Sequence, residues 1–187
     1  ENVNKALVYG RELRKKIVRM LKTGDARCEK LYWDLLLMAS PFDFDSFCRY
    51  IEKDREPSKK FYEPRRKQLY QLAVALQQLE DNELDLLAVS MPPGVGKTAL
   101  AIFYICWTSG LHPEMQTLCA SHNNDFLKGV YDECLRIFEP DGEYRWAEVF
   151  PKVPVCGQLA KSLRIDLGRR KRFQSIELTS IKSGNAG

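Results

Sequence analysis

Leu84-Asp-Leu-Leu-Ala-Val-Ser-Met-Pro-Pro-Gly-Val-Gly-Lys-Thr98 is the stretch on which the reading of this chain turns. Leu84 to Ser90 is a short apolar run bounded by polar residues and by Pro92-Pro93. That pattern predicts a buried parallel strand. Gly94 and Gly96 then free the backbone to turn tightly and to approach a ligand without a side chain in the way. A helix is predicted from Thr98 to Ser109, closed by Gly110. Strand, glycine-rich turn and helix start, in that order, make a cradle for phosphate oxygens. The N–H groups of the turn and of the first helical residues surround the negative charge. Pro92, Pro93, Gly94, Val95, Gly96, Lys97, Thr98 and Ala99 are the candidate nucleotide-binding residues. Lys97 places a point charge on the outer phosphates and is the candidate catalytic residue. The Thr98 hydroxyl is assigned to magnesium. Expected cofactors are therefore ATP and magnesium. Met91 stands where the usual pattern has its first glycine. The competing reading is a Gly/Pro turn before an ordinary helix, with Lys97 solvated.

Upstream, residues 1–56 read as a helical appendage. Leu7, Leu13, Ile17, Met20 and Leu21 keep a helical period among basic residues, and Gly24-Asp25 breaks it. A second apolar stretch runs from Leu31 to Ala39 and stops at Ser40-Pro41, and Asp45 is the expected cap of a third helix through Ile51. A polar linker, 54–60, precedes a long helix predicted from Arg65 to Glu80. Tyr62 and Gln68 offer either a stacking aromatic and an amide that reads an adenine edge, or a packing tyrosine and a surface glutamine. Downstream, strands are predicted at 117–120, 163–167 and 175–181, and an amphipathic helix at 125–138. This alternation argues for an α/β sheet over a core domain spanning 57–187.

At 187 residues and 44% hydrophobic, the chain has the means to fill a core. The net charge of +4 is too small to argue for nucleic acid by itself. Six cysteines, none in a CxxC pair, and two histidines make a zinc site improbable and fit reduced thiols. The apolar run Leu35 to Ala39, like every other apolar run in the sequence, is far too short to cross a bilayer.

Two further groups are candidates for DNA contact or coupling. Ser121, His122 and Asn123 follow a predicted strand at the end where α/β sheets place ligands, or simply cap the next helix. Residues 161–172 hold Lys161, Arg164, Arg169, Arg170, Lys171 and Arg172 against the single acid Asp166. They read as phosphate contacts, as a basic hairpin tip with Gly168 at its turn, or as the source of an arginine finger for a neighbouring subunit.

The loop Met91-Pro-Pro-Gly-Val-Gly-Lys-Thr98 resembles that of the large terminase subunits of tailed bacteriophages, including the missing first glycine. Phe44-x-x-Phe47-x-x-Tyr50 resembles an upstream aromatic segment of that family, and Pro64-Arg-Arg-Lys-Gln68 its adenine-contacting glutamine motif. Thr117–Asn123, Tyr144–Pro151 and Ile176–Gly184 resemble later segments, so the likeness covers roughly residues 44–187. It implies a RecA-like P-loop NTPase fold with a mainly parallel sheet flanked by helices. It implies an ATPase that drives double-stranded DNA into a capsid. The partners it implies are a homo-oligomeric ring on the portal and a small terminase subunit, in the cytoplasm of a bacterial host, with no membrane. Within the family an apolar strand ending in paired acids, and then a nuclease domain, come next. The expectation is that 57–187 is a core cut before that strand, which binds nucleotide better than it hydrolyses it. The alternatives are a helicase-type DNA-dependent ATPase and a nucleotide-dependent docking domain without hydrolysis.

Overall fold

A computed structural model describes residues 26–181 together with Val8, Glu12, Leu13, Lys15 and Lys16. The helix read around Leu7–Leu21, its break at Gly24-Asp25, and the end of the 176–184 segment lie largely outside the described residues. Contacts divide the chain into two compact units, Glu1–Gly96 and Lys97–Gly187. This division is distinct from the 56/57 boundary read from composition.

The first unit is helical. Helix α1 spans Ala26–Ala39, α2 spans Phe44–Tyr50, a 3-10 turn spans Pro57–Lys59, and α3 spans Tyr62–Glu80. Helix α2 packs against both α1 and α3. Phe44, Phe47, Tyr50, Ile51, Tyr62 and Leu69 are all but inaccessible and form its core with Leu36. The cap of α2 is Asp43, not Asp45: its carboxylate accepts the Ser46 N–H at 3.0 Å. Helix α3 begins three residues earlier than predicted and ends at a left-handed Asn82 (φ 58°). There the Glu83 N–H reaches back to the Gln78 carbonyl at 2.9 Å and the Asn82 N–H to Leu79 at 3.3 Å. Those two bonds satisfy carbonyls that a helix end otherwise leaves open.

Residues 84–90 do not form the predicted strand. They enter no strand pairing among the described residues, and Leu86 is 83% exposed. An apolar run becomes a strand only where neighbouring strands take its N–H and C=O groups, and none does so here.

The second unit is mixed α/β. Helix α4 spans Lys97–Leu111, β1 Thr117–Ser121, α5 Asn124–Phe138, and the short α6 Trp146–Val149. Then follow β2 (Val155–Leu159), a 3-10 turn (Ala160–Ser162), β3 (Arg164–Leu167) and β4 (Ile176–Ser180). The four strands form one sheet in the order β1-β4-β3-β2. Helix α5 packs on α4 and on β1 and β4 of the sheet. Its core holds Trp107, Phe138, Trp146 and Phe150, with the Trp146 indole N–H on the Cys106 carbonyl at 2.9 Å.

The expected mainly parallel sheet is not found. Only β1–β4 is parallel; β2–β3 and β3–β4 are antiparallel. Connection length explains this. Residues 160–163 and 168–175 are too short for the crossover that parallel neighbours need, whereas β1 reaches β4 through α5. The strands at 164–167 and 176–180 lie where the sequence predicts them, and β2 is an addition.

Candidate nucleotide-binding loop

The Pro92–Ala99 segment joins the unpaired 84–90 run to α4. Pro92, Pro93 and Gly94 are exposed, Val95 and Gly96 half-buried. Both glycines take left-handed backbone, φ 80° at Gly94 and 101° at Gly96. A side chain at either position would be strained. The two differ in their surroundings. A Cβ on Gly94 would meet nothing within 4 Å, while one on Gly96 would lie 2.5 Å from the Phe61 ring. Phe61 therefore rests directly on the loop.

Lys97 and Thr98 occupy the first turn of α4, where backbone N–H groups have no partner within the helix. Lys97 is half-buried and Thr98 exposed. This is a place where an anion gains both from the N–H groups and from the helix dipole. The groups present suit magnesium carried in on a nucleotide, which needs few protein ligands beyond the phosphates and water. Thr98 Oγ1 is the side-chain oxygen the loop offers it. Among the described residues no cluster of three or more His, Cys, Asp or Glu side chains could hold a metal on its own.

The start of α3 sorts the residues upstream. Tyr62 is fully buried and its hydroxyl donates to Asp45 at 2.8 Å. It is a packing residue and offers no face to a base, so the stacking role read for it is corrected. The signal was ambiguous because adjacent aromatics, Phe61 and Tyr62, sit at a helix start and only one of them points at the core. Phe61 is the residue that lies on the loop. Gln68 is exposed, and helical spacing (61, 65, 68) puts it on the same face as Phe61 and Arg65.

Adjacent acids fix this helix start. Glu52 is 2% exposed and accepts the Phe61 and Tyr62 N–H groups, each at 2.8 Å, and Arg55 at 3.0 Å. Burial pushes its carboxyl above the usual range, and those two N–H groups and Arg55 partly offset that. Asp45 takes both Nε and Nη2 of Arg66, at 2.7 and 2.9 Å. Burial raises its carboxyl, but Arg66, Tyr62 and Arg49 outweigh this and hold it below the ordinary value.

The other candidates separate as follows. Ser121, His122 and Asn123 do follow a strand end, yet Asn123 is spent as the cap of α5. Its Oδ1 accepts the Asp125 N–H at 2.9 Å and the Phe126 N–H at 3.1 Å, while Ser121 Oγ accepts the Asn123 N–H at 3.3 Å. His122 is exposed. In the basic run, β3 and β4 form the hairpin, with Gly168 (φ 76°) at its start. Lys171 is turned inward onto Ser175 Oγ at 2.7 Å and onto the Pro113 carbonyl. Arg164 pairs across the strands with Glu177 at 2.6 Å, and Arg170 donates to the Cys156 carbonyl at 3.3 Å. Arg169 and Arg172 are exposed, the latter over the Phe173 ring. Arg170 is exposed as well, so of the four basic residues 169–172 only Lys171 is turned inward.

Among the described residues no helix is long and apolar enough to cross a membrane. No protein-family model matches this chain, and no curated protein and no solved structure matches it either.

Proposed function

We propose that the chain binds ATP with magnesium at Pro92–Ala99, and that it is the nucleotide-binding part of a DNA-packaging ATPase of the terminase type. The observation behind the first half is the loop itself: two left-handed glycines immediately before a helix that opens with Lys97-Thr98. Backbone N–H groups of this turn hold the phosphates, Lys97 neutralises the outer ones, and Thr98 Oγ1 holds magnesium. The ion supplies charge neutralisation when bound. Gln68 reads the adenine edge from the face of α3 that adjoins the loop. The second half rests on sequence resemblance alone: the order of the aromatic segment, glutamine motif, loop and Phe-Pro segment. Arg169, Arg170 and Arg172 are its exposed candidates for DNA phosphate or for a neighbouring subunit's nucleotide.

Lys97→Ala removes a charge-assisted contact worth about 1.5–3 kcal/mol. ATP affinity then falls by about ten-fold or more. Calorimetry on the folded variant measures this, and an unchanged affinity would rule the site out. Thr98→Ala weakens binding in magnesium and leaves it unchanged in EDTA. An equal loss in both media would show that the hydroxyl has another role.

A further inference from the structure

The sheet of the second unit ends in β1 on one side and β2 on the other, and the two edges are finished differently. β2 carries the usual protections of an edge. It follows Pro154, is bulged between Val155 and Gly157, and has its Cys156 carbonyl taken by Arg170 at 3.3 Å. β1 carries none of them. Thr117-Leu-Cys-Ala-Ser121 holds no charge and no proline, and it pairs with β4 in unbroken parallel register. The Thr117 N–H donates to the Ser175 carbonyl at 2.8 Å, and the Ser121 carbonyl accepts the Ile181 N–H at 3.0 Å. Thr117 and Ser121 therefore face β4. Alternation turns Cys119 the same way. It turns the N–H and C=O groups of Leu118 and Ala120 to the other side, where no strand stands among the described residues. Both of their side chains are exposed, Leu118 at 66%.

From this contrast we infer that β1 is an interface between two copies of this chain, paired edge to edge and antiparallel about a two-fold axis at Cys119. The occupant is a second copy because the strand is complementary to itself about that residue. Leu118 meets the partner's Ala120, a large apolar side chain beside a small one. Thr117 meets the partner's Ser121, hydroxyl beside hydroxyl. Leu118 and the partner's Ala120 exchange both N–H···O bonds, and the two-fold repeats the exchange. All the outward N–H and C=O groups of Leu118 and Ala120 are then satisfied on both copies. Pairing about a two-fold closes at two copies, so this contact is distinct from the ring that the family resemblance implies. It does not rest on the nucleotide reading.

The test is sedimentation of the whole chain over about a hundred-fold range of concentration, across which the mass should double. Ala120→Pro removes an outward N–H and none of those facing β4, and Leu118→Lys sets a charge on the edge. Each should weaken the dimer by about ten-fold or more. Should Ala120→Pro fail to fold, Leu118→Lys, at an exposed position, carries the measurement. Oxidation with diamide reads the register. At the axis the two copies of Cys119 form a non-hydrogen-bonded pair with Cα atoms about 4.5 Å apart, within reach of a disulfide. The two thiols give two protons and two electrons to the N=N bond of the reagent, which becomes a hydrazine, and one S–S bond forms. Cys119 and Cys156 are the half-buried thiols among the described residues. The linked dimer should be lost in Cys119→Ser and kept in Cys156→Ser. A monomer at every concentration overturns the inference, and so does a dimer that both edge variants leave unchanged. A dimer linked through Cys156 overturns it as well, since that places β2 at the axis. A dimer that neither thiol links overturns the register about Cys119.

Discussion

Two stretches of the first unit, residues 43–66 and residues 84–96, face the same physical demand and meet it differently. Both must find partners for backbone groups that regular structure leaves open. Around 43–66 the partners are side chains close at hand. Asp43 caps α2, Glu52 takes the first N–H groups of α3, and Gln77 Oε1 takes the Phe44 N–H at 2.8 Å. The same Gln77 donates onward to Asp81 at 2.9 Å. Two further carboxylates are balanced by arginines, Asp45 by Arg66 and Glu52 by Arg55. Through 84–96 the described backbone enters no strand pairing. The backbone is irregular and largely exposed, with two left-handed glycines at the turn and the Phe61 ring against Gly96. The comparison teaches where rigidity and where ligand access belong. A junction saturated with internal hydrogen bonds has nothing left to offer a ligand. A glycine-containing turn at the start of a helix is where N–H groups can meet a ligand.

The sharpest way to break that contrast is at Asp45. Asp45→Ala leaves the Arg66 guanidinium and the Tyr62 hydroxyl without their acceptor, and should cost about 1.5–3 kcal/mol in urea unfolding at neutral pH. The pH dependence has a definite sign. The folded carboxyl titrates below its ordinary value of 3.8, so its contribution is complete above that pH and is lost as pH falls through the folded value. The gap between wild type and Asp45→Ala should therefore be constant from neutrality to about pH 5 and shrink below about pH 4. Glu52 shifts the other way, but it is present in both proteins and cancels in the difference. A gap that persists unchanged into acid would show that Asp45 acts by packing and not by charge.

The glycines of the loop sharpen the other side of the comparison. Gly94→Ala and Gly96→Ala both force a side chain into left-handed backbone, a strain of about 1–2 kcal/mol. Only Gly96→Ala also drives a Cβ into the Phe61 ring. Its cost should be the larger of the two, up to about 3 kcal/mol. Adding Phe61→Ala should recover part of it, with a coupling above about 0.5 kcal/mol, and should show none with Gly94→Ala. Urea unfolding of the two single variants and the two doubles measures this. Equal costs and no coupling would mean that the ring does not sit on the loop in solution.

How much of this was legible beforehand depended on whether the deciding partner was local. The periods of 62–80, 97–111 and 124–138 are carried within each segment, and their helices lie within a few residues of expectation. The hairpin tip at Gly168 was legible for the same reason. Asp43 and Asp45 were exchanged as caps because both are aspartates near a helix start. What separates them is Arg66, 21 residues on, which no local pattern reports. Tyr62 stood open between stacking and packing, and Phe61 was not singled out, since the choice between core and loop depends on α2. The mainly parallel sheet was what the family resemblance implied, and it requires an alternation of strand and helix that this chain does not keep throughout. It ends after α5, and the short links beyond it allow only antiparallel neighbours. For the candidate site, the glycine turn and the helix start were legible from their spacing.

The smallest expected effect tests the region that departs furthest from expectation. Leu86 is 83% exposed in an unpaired segment, so Leu86→Ser should change stability by no more than about 0.5 kcal/mol. Leu178 provides the internal standard. It is 3% exposed in β4, between β1 and β3, and Leu178→Ala should cost about 2–5 kcal/mol. The two leucines come from apolar runs of similar length and differ in whether neighbouring strands take up the backbone. If 84–90 were a buried strand in solution, Leu86→Ser would remove a core side chain and place a hydroxyl there. Its cost would then approach that of Leu178→Ala. Amide exchange separates the cases independently of any substitution. Backbone N–H groups of 85–90 should exchange without protection, and those of 176–180 should exchange only on opening of the sheet. Protection at 85–90 that appears on adding ATP and magnesium would mean that ligand binding orders the run. Protection already present without ligand would show that the run is a strand, and that the contrast with residues 43–66 drawn above is wrong.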